Sequence, residues 1–398
     1  MPDDSRQSRG KGGDEITIAL CGDVMTGRGI DQILPHPGDP RLFEGYVTSA
    51  HDYVRLAEAA NGPIARPVPF DYIWGDALAA LDRARPDAWI VNLETSITRS
   101  DEYEPKGINY RMPPENARCL TAARIDCCVL ANNHVLDWGR TGLTETLRTL
   151  EALGVKHAGA GETAAQARAP AILEVDGRGR VIVFAFGTAT SGIPRRWRAT
   201  EREGGVDLLA DLSSRTVSEI ADRVRRVRKP GDIVIASIHW GGNWGYAVDR
   251  EERRFAHDLI DEADVDVVHG HSSHHPKAVE IHRGKPILYG CGDFLNDYEG
   301  IGGHEAFRPE LALLYLATFK MGSGALTRLE GVPFRIRRMR LERAAGEDAS
   351  WLRDTLDREG LRFGTDVVLT EEETLSFQPT GENGAAAESA HRGRSTDG

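Results

Sequence analysis

A basic surplus, paired cysteines and long apolar runs are what this chain lacks. Its 398 residues hold 49 Lys and Arg against 61 Asp and Glu, a net charge of −12. Nucleic-acid binders usually carry a basic field, so no nucleic-acid partner is expected. An acidic surface also repels polyanions, so an anionic ligand must be met by local cations or metals. No stretch approaches the roughly 18 uninterrupted apolar residues of a membrane-spanning helix. The polar opening MPDDSRQSRGKGGDE lacks the apolar core of a secretory leader. A soluble, cytoplasmic protein is therefore expected. The five cysteines are odd in number and form no C-x-x-C pair, which points to reduced, mostly buried thiols rather than a disulfide framework.

What the chain has instead is a set of short polar motifs, each directly after an apolar run. They are Gly22-Asp23 after ITIALC, Asn92-Leu93-Glu94 after AWIV, and Asn132-Asn133-His134 after CCVL. His239-Trp240-Gly241 follows DIVIASI, and Gly270-His271-Ser272-Ser273-His274 follows VDVV. Ligands of open α/β sheets bind beyond the carboxyl ends of the strands. The spacing predicts that all five motifs converge on one edge of one sheet.

Strands alternate with helical stretches from Glu15 onward, as in βαβ units. Helices are predicted near 75–85, 114–124, 140–153, 213–229 and 249–263, and a long insertion over 26–70 carries one near 48–60. Residues 171–187 and 277–290 read as hairpins, and 311–320 and 334–344 as antiparallel strands. A mixed α/β layered domain with a central sheet pair fits this order better than a purely parallel sheet. Residues 1–14 and 378–398 are expected to be disordered.

The motif residues suit a metal site. Asp23 ends a strand, and Glu94 has two oxygens with which to bridge two ions. The Asn133 amide oxygen can ligate a hard cation, while His134, kept off the metal, can protonate a leaving group with Asp137 orienting it. His239 alone reads as a core histidine. The nearby cluster of His269, His271, His274 and His275 shifts that reading toward ligation. His271 and His274 can each address a different ion, and His275 stands as the alternative to His274. Arg28 offers a planar fork for phosphate or carboxylate. Lys106, Arg111 and the run Arg195 to Arg198 read either as anion contacts or as solvated charge. A mixed oxygen and nitrogen set suits Mn²⁺, Fe or Zn²⁺ better than Mg²⁺.

Together GDVMTGR (22–28), NLE (92–94), NNH (132–134), HWG (239–241), GHSSHHP (270–276) and YGCGDFLND (289–297) resemble the CapA family of capsule and poly-γ-glutamate synthesis proteins, with its calcineurin-like metallophosphoesterase fold. The resemblance covers roughly residues 15–300. It implies a four-layer α/β/β/α sandwich with two central mixed sheets, a main domain over 15–345 and an extension over 346–377 packed on it. By motif, Asp23, Glu94 and His274 would face one metal. Glu94, Asn133, His239 and His271 would face the other, with His134 as general acid, Arg28 on the substrate's anionic group, and Asp293 or Asn296 lining the crevice. Met25 stands where phosphoesterases carry a ligating histidine, which weakens the first metal position. The implied function is a metal-dependent hydrolase of a phosphate ester or related anionic substrate, holding one or two divalent ions. The alternatives are a non-hydrolytic factor binding an anionic polymer such as polyglutamate, and a bimetallic amide or peptide hydrolase.

Overall fold

The computed structural model describes residues 13–175 and 177–381. Two mixed sheets dominate it. In the ten-stranded sheet the strand order is 365–369, 375–379, 325–336, 311–320, 15–24, 88–93, 127–129 and 156–158, with 293–295 and 341–343 pairing from the side. The six-stranded sheet runs 279–282, 285–288, 267–271, 233–239, 179–187 and 171–175. The structure is thus a mixed α/β fold, as the alternating pattern predicts.

Side-chain alternation shows how the sheets are covered. In the strand Gly179–Gly187, Val181, Val183 and Ala185 join the hydrophobic cluster that also holds Ile16, Ile18 and Leu20 of the larger sheet. Ile182, Phe184 and Phe186 point the other way, into a second cluster with Val217, Ile220, Phe255 and Leu259. One face of the six-stranded sheet therefore meets the ten-stranded sheet, and the opposite face is covered by helices. Those helices are Ser214–Val227 and Arg250–Glu262. The first buries Val217, Ile220, Ala221 and Val224, the i, i+3, i+4, i+7 pattern of one helical face. Asp249 and Glu252 start the second with a reciprocal capping box.

Several expectations need adjustment. The helix predicted near 114–124 is a 3₁₀ turn, Pro114–Ala117, followed by the short helix Arg118–Ala122. The insertion holds the helix His51–Asn61 and also a short one, Arg28–Ile33. The late strand begins far earlier than predicted, at Ala325, and runs to Ile336. Residues 346–377 help build the larger sheet: Thr365–Leu369 and Leu375–Pro379 form its edge, beside the helix Glu347–Leu361. That last strand extends into the segment from 378 that was expected to be disordered. Residues 1–12, Asp176 of the predicted hairpin turn, and 382–398 lie outside the described residues. No helix among the described residues is long and apolar enough to cross a membrane.

The largest correction concerns the motifs. They do not lie on one edge of one sheet. Asp23, Glu94 and Asn132 to His134 belong to the ten-stranded sheet and its loops, whereas His239 and His271 end parallel strands of the six-stranded sheet. The sheets touch closely there: His269 Nε2 lies 2.9 Å from the Cys21 carbonyl oxygen. Gly22 makes the approach of another segment possible, since a Cβ at this position would fall 1.8 Å from the Gly292 oxygen. Gly22→Ala is therefore expected to cost about 3 kcal/mol or more. An unchanged urea unfolding midpoint would contradict that packing.

Candidate metal centre

Strand register brings the acidic residues together. Asp23 pairs with Asn92 on one side and with Asp293 on the other. An amide ladder then fixes the carboxylate: Asn92 Nδ2 donates to Asp23 Oδ1 at 2.7 Å, and Asn132 Nδ2 donates to Asn92 Oδ1 at 3.0 Å. The Asn132 side-chain oxygen accepts the backbone N–H groups of His134 and Val135 at 3.1 and 3.0 Å. That Asx turn projects Asn133 and His134 toward the other sheet.

From the six-stranded sheet come His239 and His271, directly opposite each other in the ladder and both 1% exposed. Their Nδ1 atoms lie 2.8 Å apart, and His239 Nε2 is 3.0 Å from Asn133 Oδ1. Two ligand groups result, Asp23 with His239 and His271, and Asp23 with His274 and Asp293. Within each, the ligand atoms lie within 4.8 Å of one another. Asp23 is the residue shared by both. Glu94 stands beside them, with Oε1 3.7 Å from His134 Nε2 and 3.8 Å from His239 Nε2.

Burial dominates the electrostatics of this group. Burial, reinforced by Asp293, raises the Asp23 carboxyl to about 7. Burial and the Asp23 charge push Glu94 well above the usual carboxylate range. His239 and His271 are held well below the ordinary imidazole value by burial and by neighbouring imidazoles. Burial works against protonation of His274 too, but Asp293, 2.9 Å from its Nδ1, outweighs it and raises the value. Asp23 Oδ2 and Glu94 Oε2 are buried and receive no hydrogen bond from any other described residue, and the two carboxyls lie within hydrogen-bonding reach of each other. Buried carboxylates crowded in this way are costly unless protons or a positive charge join them. The residues present therefore fit a divalent cation, and the mixed donor set suits Mn²⁺, Fe or Zn²⁺.

His134 lies at the rim of this group. Its Nδ1 is 2.6 Å from Asp137 Oδ2, so Nδ1 carries a proton and Nε2 faces Glu94. Burial pulls its pKa down to about 4 despite Asp137, helped by Lys106. Lys106 is not a free surface charge: its Nζ lies 2.8 Å from Asp137 Oδ1 and 3.1 Å from His134 Nδ1.

Other candidates are placed differently. Arg28, expected to hold an anionic group of the substrate, is 3% exposed and already engaged. Its guanidinium pairs with Asp297 and Glu44, donates to the Tyr53 hydroxyl at 3.0 Å, and lies 3.8 Å over the Tyr53 ring. It anchors the insertion to the segment after Asp293. His275 turns away into Trp244, Tyr246 and Phe307, which leaves His274 as the histidine facing Asp23. His269 is occupied between the sheets by Ser237 and Cys21. Met25 is fully buried, and its N–H pairs with the Leu295 carbonyl. Asp293 was named only as a possible lining residue. Its place opposite Asp23 depends on a pairing 270 residues apart, which local pattern does not reveal.

Residues 17–298 match the family described as bacterial capsule synthesis protein PGA_cap. Over 368 residues the chain is 50% identical to a Mycobacterium tuberculosis protein named probable polyglutamine synthesis accessory protein, covering 92% of this chain and 97% of that one. It is 20% identical over 284 residues to the capsule biosynthesis protein CapA of Bacillus anthracis, covering 71% of this chain and 60% of that one. With the PGA biosynthesis protein CapA of Bacillus subtilis it shares 25% over 286 residues, 71% of this chain and 64% of that one.

The Lys106 contact can be tested in the ion-free protein. Because the ammonium disfavours a proton on His134, Lys106→Met should raise that imidazole's pKa above its value of about 4, read by NMR titration of the ring protons. No change, or a fall, would show that Lys106 is not an electrostatic neighbour of His134.

Proposed function

The chain belongs to the bacterial capsule synthesis protein family, and we propose that it acts there as a metal-dependent hydrolase of a phosphate ester or related anionic substrate. The observation that supports this reading is the crowding of three buried carboxylates, Asp23, Glu94 and Asp293, with the donor atoms of His239, His271, His274 and Asn133. In this reading one or two Mn²⁺, Fe or Zn²⁺ ions are held by those residues. Such an ion supplies Lewis acidity toward a phosphoryl or carbonyl oxygen. The two sheets and their helices are taken as the four-layer α/β/β/α sandwich of metallophosphoesterases.

The protein's own groups supply the rest. His134 holds or releases a proton at Nε2, the nitrogen turned toward Glu94 and the ligand cluster. Asp137 fixes the tautomer through Nδ1, and Lys106 keeps the imidazole from over-stabilising its proton. Asn92 and Asn132 hold Asp23 and the Asn133–His134 turn in register.

A second reading is a non-hydrolytic accessory factor that uses the same residues to bind an anionic polymer of the polyglutamate kind. Met25, buried with a poorly ligating thioether where a further ligand would strengthen the Asp23 and His274 position, favours it. The accessory role in the mycobacterial relative's name points the same way. Amide or peptide hydrolysis is a variant of the first reading at the same centre.

The readings separate in solution. With Mn²⁺ present, hydrolysis of an activated aryl phosphate should disappear on chelation and in His239→Ala. His134→Gln should keep its bound metal but lose ~10²–10⁴-fold in kcat. Undiminished hydrolysis in stripped protein would overturn metal dependence. Tight metal binding without turnover of phosphate esters or γ-glutamyl peptides would favour the accessory reading.

A further inference from the structure

Away from that centre, ligand-bearing side chains converge where the helix Arg250–Glu262 passes the edge strand Val279–His282. His257 and Asp261 are one helical turn apart and share a face. Glu280 and His282 are two residues apart and share a face of the strand. His257 Nε2 lies 3.0 Å from Glu280 Oε1, and His282 Nε2 lies 3.0 Å from Asp261 Oδ1. The two imidazole rings are stacked, 3.9 Å apart and 9° from parallel. Ligand atoms of His257, Glu280 and His282 all fall within 4.8 Å of one another.

The surroundings hold these groups in place. Arg253 donates to both Glu280 oxygens at 2.9 and 3.3 Å, and the Tyr289 hydroxyl donates to Oε2 at 2.7 Å. Outer hydrogen bonds of this kind orient ligating carboxylates. The side chains of His257 and His282 are 25% and 19% exposed, so an ion can reach them without opening the fold.

We propose that His257, His282 and Glu280, with Asp261 beside them, form a second metal site selective for a borderline transition ion such as Zn²⁺. The choice of ion follows from charge. Arg253 on Glu280 and Arg283 on Asp261 offset the two carboxylates, so affinity rests on the imidazoles. Hard Mg²⁺ and Ca²⁺ gain little from such a set. An ion here ties the helix to an edge strand, the part of a sheet most open to slippage and unwanted pairing. None of these residues belongs to the Asp23 centre, so this site does not depend on the proposed hydrolysis.

The test is titration of Zn²⁺ into the chelator-stripped full-length chain, followed by calorimetry and thermal melting. Wild type should bind one more equivalent than His257→Ala/His282→Ala, and its Zn²⁺-induced rise in Tm should be the larger. Mg²⁺ at the same concentrations should not distinguish the two proteins. If circular dichroism shows the double variant unfolded, His282→Gln at the strand end is compared instead, with at least tenfold weaker binding of that equivalent expected. Equal stoichiometry and equal melting shifts in wild type and variant would overturn the site.

Discussion

The constraint on which this structure turns is the burial of negative charge at the junction of two sheets. Asp23, Glu94 and Asp293 are each no more than 2% exposed and crowd one another. Carboxylates in that setting must take up protons or gain a positive charge. Strand register, not flexible loops, puts Asp23 beside Asn92 and Asp293, and His239 beside His271. The backbones that carry these residues cannot draw apart without breaking ladders that the core requires. Burial keeps the imidazoles of His239 and His271 neutral, whereas Asp293 favours the protonated form of His274. Placing the two halves of the ligand set on separate sheets makes the centre depend on the sheet-to-sheet packing.

Arg28 shows the same physics resolved internally. It too is a buried charge, but Asp297 and Glu44 neutralise it, and Tyr53 and Tyr110 cover its faces. The Tyr110 hydroxyl lies 3.0 Å from that of Tyr298, which links this knot to the segment just beyond Asp293. Nothing in the knot calls for a ligand. The Asp23 cluster differs because three carboxylates crowd together there, and among the described residues no arginine or lysine is paired to Asp23 or Glu94 in an ion pair. No other described residue donates to Asp23 Oδ2 or Glu94 Oε2.

Much of this was legible in the sequence because it is local. The 3-4 spacing of Val217, Ile220, Ala221 and Val224 announces a helix, and the apolar run before His239 announces a strand. The polar motifs at strand ends identify the residues that meet. Partition of those strands between two sheets was not legible, since periodicity marks a strand without naming its neighbours. The fate of Arg28 was hidden for a related reason: its main partner lies 269 residues away. The strand Ala325–Ile336 was only half visible because Gly331 and Pro333 interrupt its pattern. Proline is tolerated there because the neighbour on that side changes. Residues 330–331 pair with the last strand and 334–336 with Leu341–Arg343, so the missing N–H falls in the gap.

The most direct measurement is a crystal structure of the full chain soaked in Mn²⁺, with anomalous difference density collected. A peak is expected among Asp23, His239 and His271, with or without a second among Asp23, His274 and Asp293. Well-ordered density for these side chains without an anomalous peak between them would contradict this expectation.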